Sequence, residues 1–401
     1  MPMLYFTFYK KPTFHQVAFQ DLLDKFYQGE LPDVQPIQED SKYRRTITLE
    51  LPETTQFPPG KYQIPKMIKA LEELLPDILS LQKIPRQQLY HSFSIPKRTG
   101  GLRHIDAPVP ELMELLRKMK SIFENKLRVL THDAAFAYVK QRSCKDALVR
   151  HQQAQSKWFL KLDIKDFFPS CNAEFIHKQL SKIFPFSEIY KEPFGYDTRT
   201  VVTTPAQFNS LMENIIDICL LNGSLPQGTP MSPLLTNLLM IPLDYKIQHF
   251  LWKARGKKFV YTRYADDILI SSPYDFDWRA AQTGVQTILE NNSPFKLKTE
   301  KTRYGSSAGR NWNLGLMLNK DNQITIGHRK KERLKATVHN FLADFTSGTV
   351  WSKLDVQVML GNLSYCRNIE PEYVQQLIQK YSEKFHCDFE QETKRIIKAY
   401  P

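Results

Sequence analysis

No two cysteines stand in a C-x-x-C pair, and the five present, Cys144, Cys171, Cys219, Cys366 and Cys387, make an odd number. A disulfide framework and a zinc knuckle are therefore not expected, and a reducing cytosol is the natural compartment. No stretch approaches the roughly 18 uninterrupted apolar residues that a membrane-spanning helix needs, so none is expected. The aromatic N-terminal run MPMLYFTFYKKPTF lacks a sustained apolar core and a small-residue cleavage site and does not read as a signal peptide. Internal repeats are missing, so a repeat array is not expected. Negative charge is the scarcer sign. Against 42 Asp and Glu stand 55 Lys and Arg, and the net charge of +13 is spread along the chain. That balance suits a polyanionic partner, nucleic acid or an acidic membrane surface, or simply a solvated surface with a mild excess of lysine.

What is present is a chain of 401 residues, 42% apolar, long enough for a sizeable core and two or three structural units. Residues 1–62 read as a separate N-terminal element, with a helix over Phe14 to Gln28, strand-like alternation from Arg45 to Leu51, and a break at Pro58-Pro59-Gly60. From Pro65 to Leu81, Met67, Ile68, Leu71, Leu74 and Leu75 recur at helical spacing. YHSFSIPKRTGGLRHIDAP (90–108) reads as a hairpin with a basic, flexible tip. Pro110 to Leu127 reads as a helix, and SKWFLKLDIKDFFPS (156–170) as a strand ended by a proline. Residues 184–206, rich in Pro, Gly and Tyr, read as an inserted loop. LPQGTPMSPLLTNLLMIPLDYKI (225–247) is a tight turn followed by a helix that Ser232 can cap, with Pro233 in its first turn and Leu234, Leu235, Leu238 and Leu239 on one apolar face. A helix over Arg279 to Asn291, a strand pair within 311–327 and a mostly helical C-terminal end complete an α+β pattern.

The chemistry centres on FVYTRYADDILIS (259–271), which sets two adjacent aspartates between two strand-forming runs. A plain turn would more often use Asn-Gly or Asp-Gly. Either the tip is a solvated turn or something cationic sits there. In KLDIKDFFP, Leu160, Leu162 and Ile164 share one strand face, while Asp163 falls on the other with Lys161 and Lys165. Alone, that is the polar face of an edge strand. Between these acidic segments lies LPQGTPMSP, whose glycine turn lets backbone approach a ligand just before a helix N-terminus. Three acidic residues on two strands, a glycine turn and a basic hairpin fit phosphoryl transfer by two divalent cations, for which carboxylates are the oxygen ligands that Mg²⁺ prefers.

On the segments IPKRTGGLRHIDAP, AYVKQRS, FLKLDIKDFFPS, LPQGTPMSPLLTN, YTRYADDILIS and NLGLMLN, in this order over residues 88–330, the chain resembles bacterial retroelement-type reverse transcriptases, the group of retron and group II intron enzymes and their defence-associated relatives. The resemblance implies a right-hand polymerase with an antiparallel palm sheet and helical thumb. It divides into an N-terminal element (1–62), fingers (63–155), a palm (156–327) with a fingers insertion at about 184–222, and a thumb (328–401).

It further implies that Asp163, Asp266 and Asp267 are the catalytic and metal-binding carboxylates, with the carbonyl of Ile164 as a further ligand, for two Mg²⁺ ions with Mn²⁺ able to substitute. Lys97 and Arg103 match positions that hold the incoming triphosphate, a point charge and a fork. Gln227 and Gly228 match the turn against the nucleotide and template, and Phe168 the aromatic gate that excludes a 2′-hydroxyl. Tyr264 would abut the primer end, and Asn313-Leu314-Gly315 resembles a primer-grip turn. Arg142, Arg329 and Lys330 would touch template or duplex phosphates. Read on their own, Phe168 is a core aromatic, 313–315 a hairpin bend, and 328–335 a solvated helix start.

KDALVRH (145–151) and Asn313-Leu314-Gly315 depart from the retron pattern of Asn-Ala-x-x-His and Val-Thr-Gly. The expectation is therefore a bacterial, cytoplasmic, defence-associated enzyme paired with a structured noncoding RNA, copying it from dNTPs into DNA without a membrane. The alternatives are template-independent or protein-primed DNA synthesis on the same site, or a nonenzymatic RNA-binding scaffold.

Overall fold

A computed structural model describes residues 5–8, 45–48, 63–97, 100–126, 131–183, 186–190, 194–197, 200–253, 258–306, 315–319 and 321–399. The helix expected over Phe14 to Gln28 lies outside these. The chain forms two units, one from Met1–Ile84, Glu114–Leu130 and His177–Ile218, the other from Pro85–Met113, Thr131–Ile176 and Cys219–Pro401.

In the first unit Tyr5–Phe8 pairs antiparallel with Arg45–Thr48, where the sequence shows strand alternation. The apolar run after Pro65 makes two helices rather than one, Gln63–Glu72 and Leu75–Gln82. Pro76 lacks the N–H that a continuing helix needs and sits in the first turn of the second helix, where none is required. Met67, Ile68 and Leu71 are fully buried as the spacing predicts. The stretch expected to be a loop at 184–206 instead holds a short helix, Phe186–Ile189, and a hairpin, Phe194–Asp197 with Thr200–Thr203. The β-branched run Thr200-Val201-Val202-Thr203 favours the pleated strand over the loop that proline and glycine suggest. Phe186 stacks between Phe123 and Phe208, at 6.1 and 6.3 Å between ring centres.

The second unit is built on an antiparallel sheet in the order Lys296–Leu297, Trp158–Lys165, Asp267–Ser272, Val260–Tyr264, with Arg303–Ser306 also pairing with Trp158–Lys165. The register puts Phe159, Lys161 and Asp163 on one face with Asp267, Leu269 and Ser271, and Leu160, Leu162 and Ile164 on the other. The alternation read from the sequence is therefore kept. The strand ends at Lys165, four residues before the proline, because Asp166 turns the chain with a φ of 46°.

The helix after the glycine turn runs from Met231 to Lys253 and passes through Pro242. It is buried on almost every side, including Met240, Ile241, Leu243 and Ile247 beyond the one leucine face expected. A helix apolar all round is a core helix. Ser232 does not cap it. Its hydroxyl donates to the carbonyl of Pro226 at 2.7 Å, and the Thr229 hydroxyl accepts from the Ser232 N–H at 3.2 Å. The helix Trp278–Asn292 meets this core helix at Gly284, where a Cβ would fall 2.0 Å from the Phe250 ring.

Four helices, His328–Thr346, Lys353–Ile369, Pro371–Phe385 and Phe389–Ala399, close the chain. Val338, Phe341, Val356, Met359, Val374 and Phe389 form their core, which Phe159 and Leu269 of the sheet join. Among the described residues no helix is long and apolar enough to cross a membrane.

Candidate active site

The carboxylates converge through strand register. Tyr264 pairs with Asp267, so Ala265 and Asp266 alone make the turn between Val260–Tyr264 and Asp267–Ser272. On its other side Asp267 lies directly opposite Asp163. Side chains so placed have Cβ atoms about 5 Å apart. The Ile164 N–H donates to the carbonyl of Asp266 at 2.9 Å, locking the turn to the neighbouring strand. The Ile164 side chain is buried.

Like charges opposite one another destabilise a sheet, and two lysines answer them. Lys301 Nζ stands 2.9 Å from Asp163 Oδ2, and Lys161 Nζ stands 2.8 Å from Asp267 Oδ2. Among the described residues Asp266 has no such partner. Burial pushes its carboxyl up, and the charges of Asp267 and Asp163 add to the rise, while a backbone hydrogen bond and Lys301 oppose it. Bonding to Asp163 raises the Lys301 ammonium in turn. Among the described residues no three His, Cys, Asp or Glu side chains already form a metal cage. The donor set is nonetheless all oxygen, mutually repelling and held on rigid strands, which is what a hard divalent cation needs. The two lysines occupy two of its carboxylates.

Beneath the sheet a buried ion pair braces the turn. The guanidinium of Arg263 donates to Asp244 at 2.8 and 2.9 Å, and both side chains are fully buried. Tyr261 donates to the same carboxylate at 2.6 Å. Arg263 Nη1 reaches the carbonyl of Ala265 at 3.2 Å and Asn237 Oδ1 at 3.2 Å. Ala265 needs that support, because its φ of 57° is costly for a residue with a Cβ. On the opposite face His151 is buried between the hydroxyls of Ser271 and Thr262.

The basic hairpin forms as expected, Tyr90–Pro96 against Leu102–Pro108. Lys97 and Arg103 are both exposed, and Arg103 pairs with Ile95. The glycine turn docks on this hairpin. The Asp106 N–H donates to the carbonyl of Gln227 at 2.7 Å, and Gly228, with a φ of 128°, leaves no room for a Cβ, which would lie 2.6 Å from the Asp106 carbonyl oxygen. The Leu225 N–H donates to the carbonyl of Cys171 at 3.1 Å, tying the same turn to the segment that follows the first acidic strand. Phe168 lies in that segment, half-buried, 5.7 Å from the ring of Phe167.

Other expected residues are more scattered. Tyr264 is half-buried beside the turn. Asn313 and Leu314 lie outside the described residues; Gly315 is described, with a φ of 95°. Arg142 is engaged by its own loop, its Nη1 donating to the carbonyls of Ala135, His132 and Asp133 at 2.8, 3.1 and 3.3 Å. Arg329 is exposed, whereas Lys330 lies over the Tyr365 ring at 3.8 Å. Sequence reasoning missed Lys301, Arg263 and Asp244. Lys161 was visible as a face-mate of Asp163, but Lys301 lies 138 residues from its carboxylate and carries no local signal.

An antiparallel sheet that presents carboxylates beside a glycine turn, backed by a buried helix and followed by a helical bundle, is the palm and thumb of a right-hand polymerase. Residues 95–324 match the family described as reverse transcriptase (RNA-dependent DNA polymerase). The chain belongs to that family and is an RNA-directed DNA polymerase. It is 27% identical over 317 residues to the Retron Ec83 reverse transcriptase of Escherichia coli, covering 78% of this chain and 93% of that one. It is 28% identical over 296 residues to the Retron Ec73 reverse transcriptase of the same species, covering 72% and 86%. With the Retron Mx65 reverse transcriptase of Myxococcus xanthus it shares 27% over 305 residues, covering 74% and 65%. Apo telomerase from Candida tropicalis aligns over 77% of this chain and 61% of that one, at 14% identity and a TM-score of 0.44, a likeness too distant to argue from.

Proposed function

We propose that the chain extends a primer along an RNA template, with Asp163, Asp266 and Asp267 and the carbonyl of Ile164 holding two Mg²⁺ ions, for which Mn²⁺ can substitute. The observation that carries this reading is the register that sets Asp163 opposite Asp267 and one residue from Asp266. Bound there, divalent cations supply charge neutralisation at the reacting phosphate and activation of the primer hydroxyl.

The chain's own groups do the rest. Lys97 and Arg103, exposed on the hairpin, meet the triphosphate and offset the charge that builds on departing pyrophosphate. Phe168 packs beneath the sugar and excludes a 2′-hydroxyl. The Gln227–Gly228 backbone lies against the nucleotide and template, where the close approach to Asp106 fixes its position. Tyr264 and the 313–315 turn hold the primer end. Arg329 and Lys330 contact duplex phosphates from the first thumb helix, and Arg142 acts on the template through the loop it clamps. On this reading the fingers span 63–155, the palm 156–327 with a fingers insertion at about 184–222, and the thumb 328–401, after an N-terminal element at 1–62. A dedicated structured noncoding RNA is the template, in a cytoplasmic, anti-phage role. Support for that role is the likeness to retron reverse transcriptases, and sequencing nucleic acids that co-purify with the protein tests it.

Asp266→Asn should lower nucleotide incorporation by roughly a thousandfold or more, while RNA binding stays near wild type. Incorporation that survives this change would place the chemistry elsewhere.

A further inference from the structure

The loop before the first acidic strand carries an aromatic side chain that packing does not explain. Tyr138 is 54% exposed. Among the described residues no hydrogen bond or ring contact engages its side chain. Its backbone has a φ of 60°, a conformation that a bulky residue adopts only when its surroundings force it.

Those surroundings are extensive and all lead to the catalytic turn. Ala135 bridges to Arg263 in parallel register. The Arg263 N–H donates to the carbonyl of Ala134 at 2.6 Å, and the Phe136 N–H donates to the carbonyl of Arg263 at 2.9 Å. The buried Asn237 side chain donates to the carbonyl of Ala137 at 2.8 Å, one residue short of Tyr138. Arg142 then clamps the loop from its far side. Arg263 itself holds the carbonyl of Ala265. One buried brace thus fixes both the turn bearing Asp266 and the loop bearing Tyr138. Burial of part of the ring raises the phenol, Asp266 and Tyr264 raise it further, and Arg103 lowers it.

We propose that Tyr138 is a nucleobase platform, an aromatic ring that stacks on a base of the nascent pair at the catalytic turn. An exposed π-face suits any base, because stacking does not read hydrogen-bonding edges. The strained backbone and the rigid loop then have a purpose. They fix the direction in which the side chain leaves the backbone before substrate arrives, so less ordering is needed on binding. Tyr138 is a positioning residue, distinct from the carboxylates that would carry the chemistry.

The inference rests on the polymerase reading, and its test separates the two. Wild-type protein, Tyr138→Phe, Tyr138→Trp and Tyr138→Gly are compared on a defined RNA template with a DNA primer. Failure of the wild type to extend the primer would overturn the polymerase reading itself. Glycine is chosen for the truncation because it adopts the positive φ freely, so its melting temperature should match or exceed the wild type's. Tyr138→Gly should weaken dNTP or primer–template binding by roughly 10- to 100-fold, the loss of one aromatic–base stack, with kcat little changed. Phe and Trp should retain near-normal values.

The arms identify the base. A raised dNTP KM with unchanged primer–template Kd assigns the incoming base. A raised primer–template Kd that disappears when the templating position is abasic assigns the template base. A raised Kd that persists on the abasic template would place the stack on the primer-terminal base, outside the nascent pair, and so overturn the proposal. If a folded Tyr138→Gly protein matches wild type in both constants while the wild type extends normally, Tyr138 is no platform. A Phe variant as impaired as Gly would overturn the proposal too, since the ring would then not be what binds.

Discussion

Gly228 illustrates how one atom can govern a site. Its φ of 128° and the Asp106 carbonyl oxygen, 2.6 Å from where a Cβ would stand, leave two ways to accommodate alanine, both of which move backbone. Either the glycine turn lifts off the basic hairpin or the hairpin bends away, and in each case the Asp106–Gln227 hydrogen bond is strained. Gly228→Ala should therefore cost about 1–3 kcal/mol in stability and lower nucleotide incorporation by at least about tenfold, read as a lower melting temperature and a higher dNTP KM. An unchanged KM would show that the turn does not border the nucleotide. The lysines show the same scale from the electrostatic side. Lys301 and Lys161 supply, to Asp163 and Asp267, the positive charge that offsets their mutual repulsion. Asp266, left without one, is the carboxyl whose ionisation is opposed.

At the scale of the element, strand alternation was the most readable feature of the sequence. Leu160, Leu162 and Ile164 do share a face opposite Asp163, because a two-residue period follows from the pleat and needs no knowledge of partners. Helical spacing told less. The apolar residues after Pro65 were seen, but the break at Pro76 follows from one missing N–H and not from the pattern. In Met231–Lys253 the leucine face was visible, yet burial extends around the helix, and how much of a helix is covered depends on elements distant in sequence.

His151 is the clearest case of such hidden context. In the sequence it is only the last residue of KDALVRH, yet it sits buried between Ser271 and Thr262, 120 and 111 residues away. Burial, with a smaller push from Arg150, lowers its pKa from 6.5 to about 3. Below pH 6.5 the unfolded chain takes a proton that the folded chain refuses until about pH 3. Stability present above pH 6.5 is therefore lost progressively as pH falls toward 3, with a slope of up to about 1.4 kcal/mol per pH unit for this one proton. Burial lowers His132 as well and acts with the same sign. Urea melts across this range should show the slope, and His151→Leu should reduce it by about one proton while lowering stability at neutral pH, since the two hydroxyls lose their partner. An unchanged slope would mean that His151 is protonated in the folded state.

For the molecule as a whole, the net charge of +13 left open whether the excess serves a polyanion or merely solvates the surface. The fold gives the question direction. Arg329 is exposed at the start of the first thumb helix, while Lys97 and Arg103 are exposed on the hairpin proposed to meet a triphosphate. Binding of a primer–template duplex releases one counterion for nearly every phosphate neutralised, so the logarithm of affinity falls linearly with the logarithm of salt. If the basic surface tracks the duplex over about six phosphates, affinity should fall about a thousandfold between roughly 50 and 200 mM salt. The proposed roles divide these residues. Arg329→Gln should make the slope shallower by about one, because the proposal gives it a phosphate contact on the duplex. Lys97→Gln should leave the slope of duplex binding unchanged and raise the dNTP KM, because its proposed partner is the nucleotide. Lys330 already rests on the Tyr365 ring, so Lys330→Gln should change the slope less than Arg329→Gln does. A wild-type slope near zero would return the charge excess to ordinary solvation, and equal effects of Lys97 and Arg329 on the slope would merge the hairpin and the thumb into one undifferentiated basic surface.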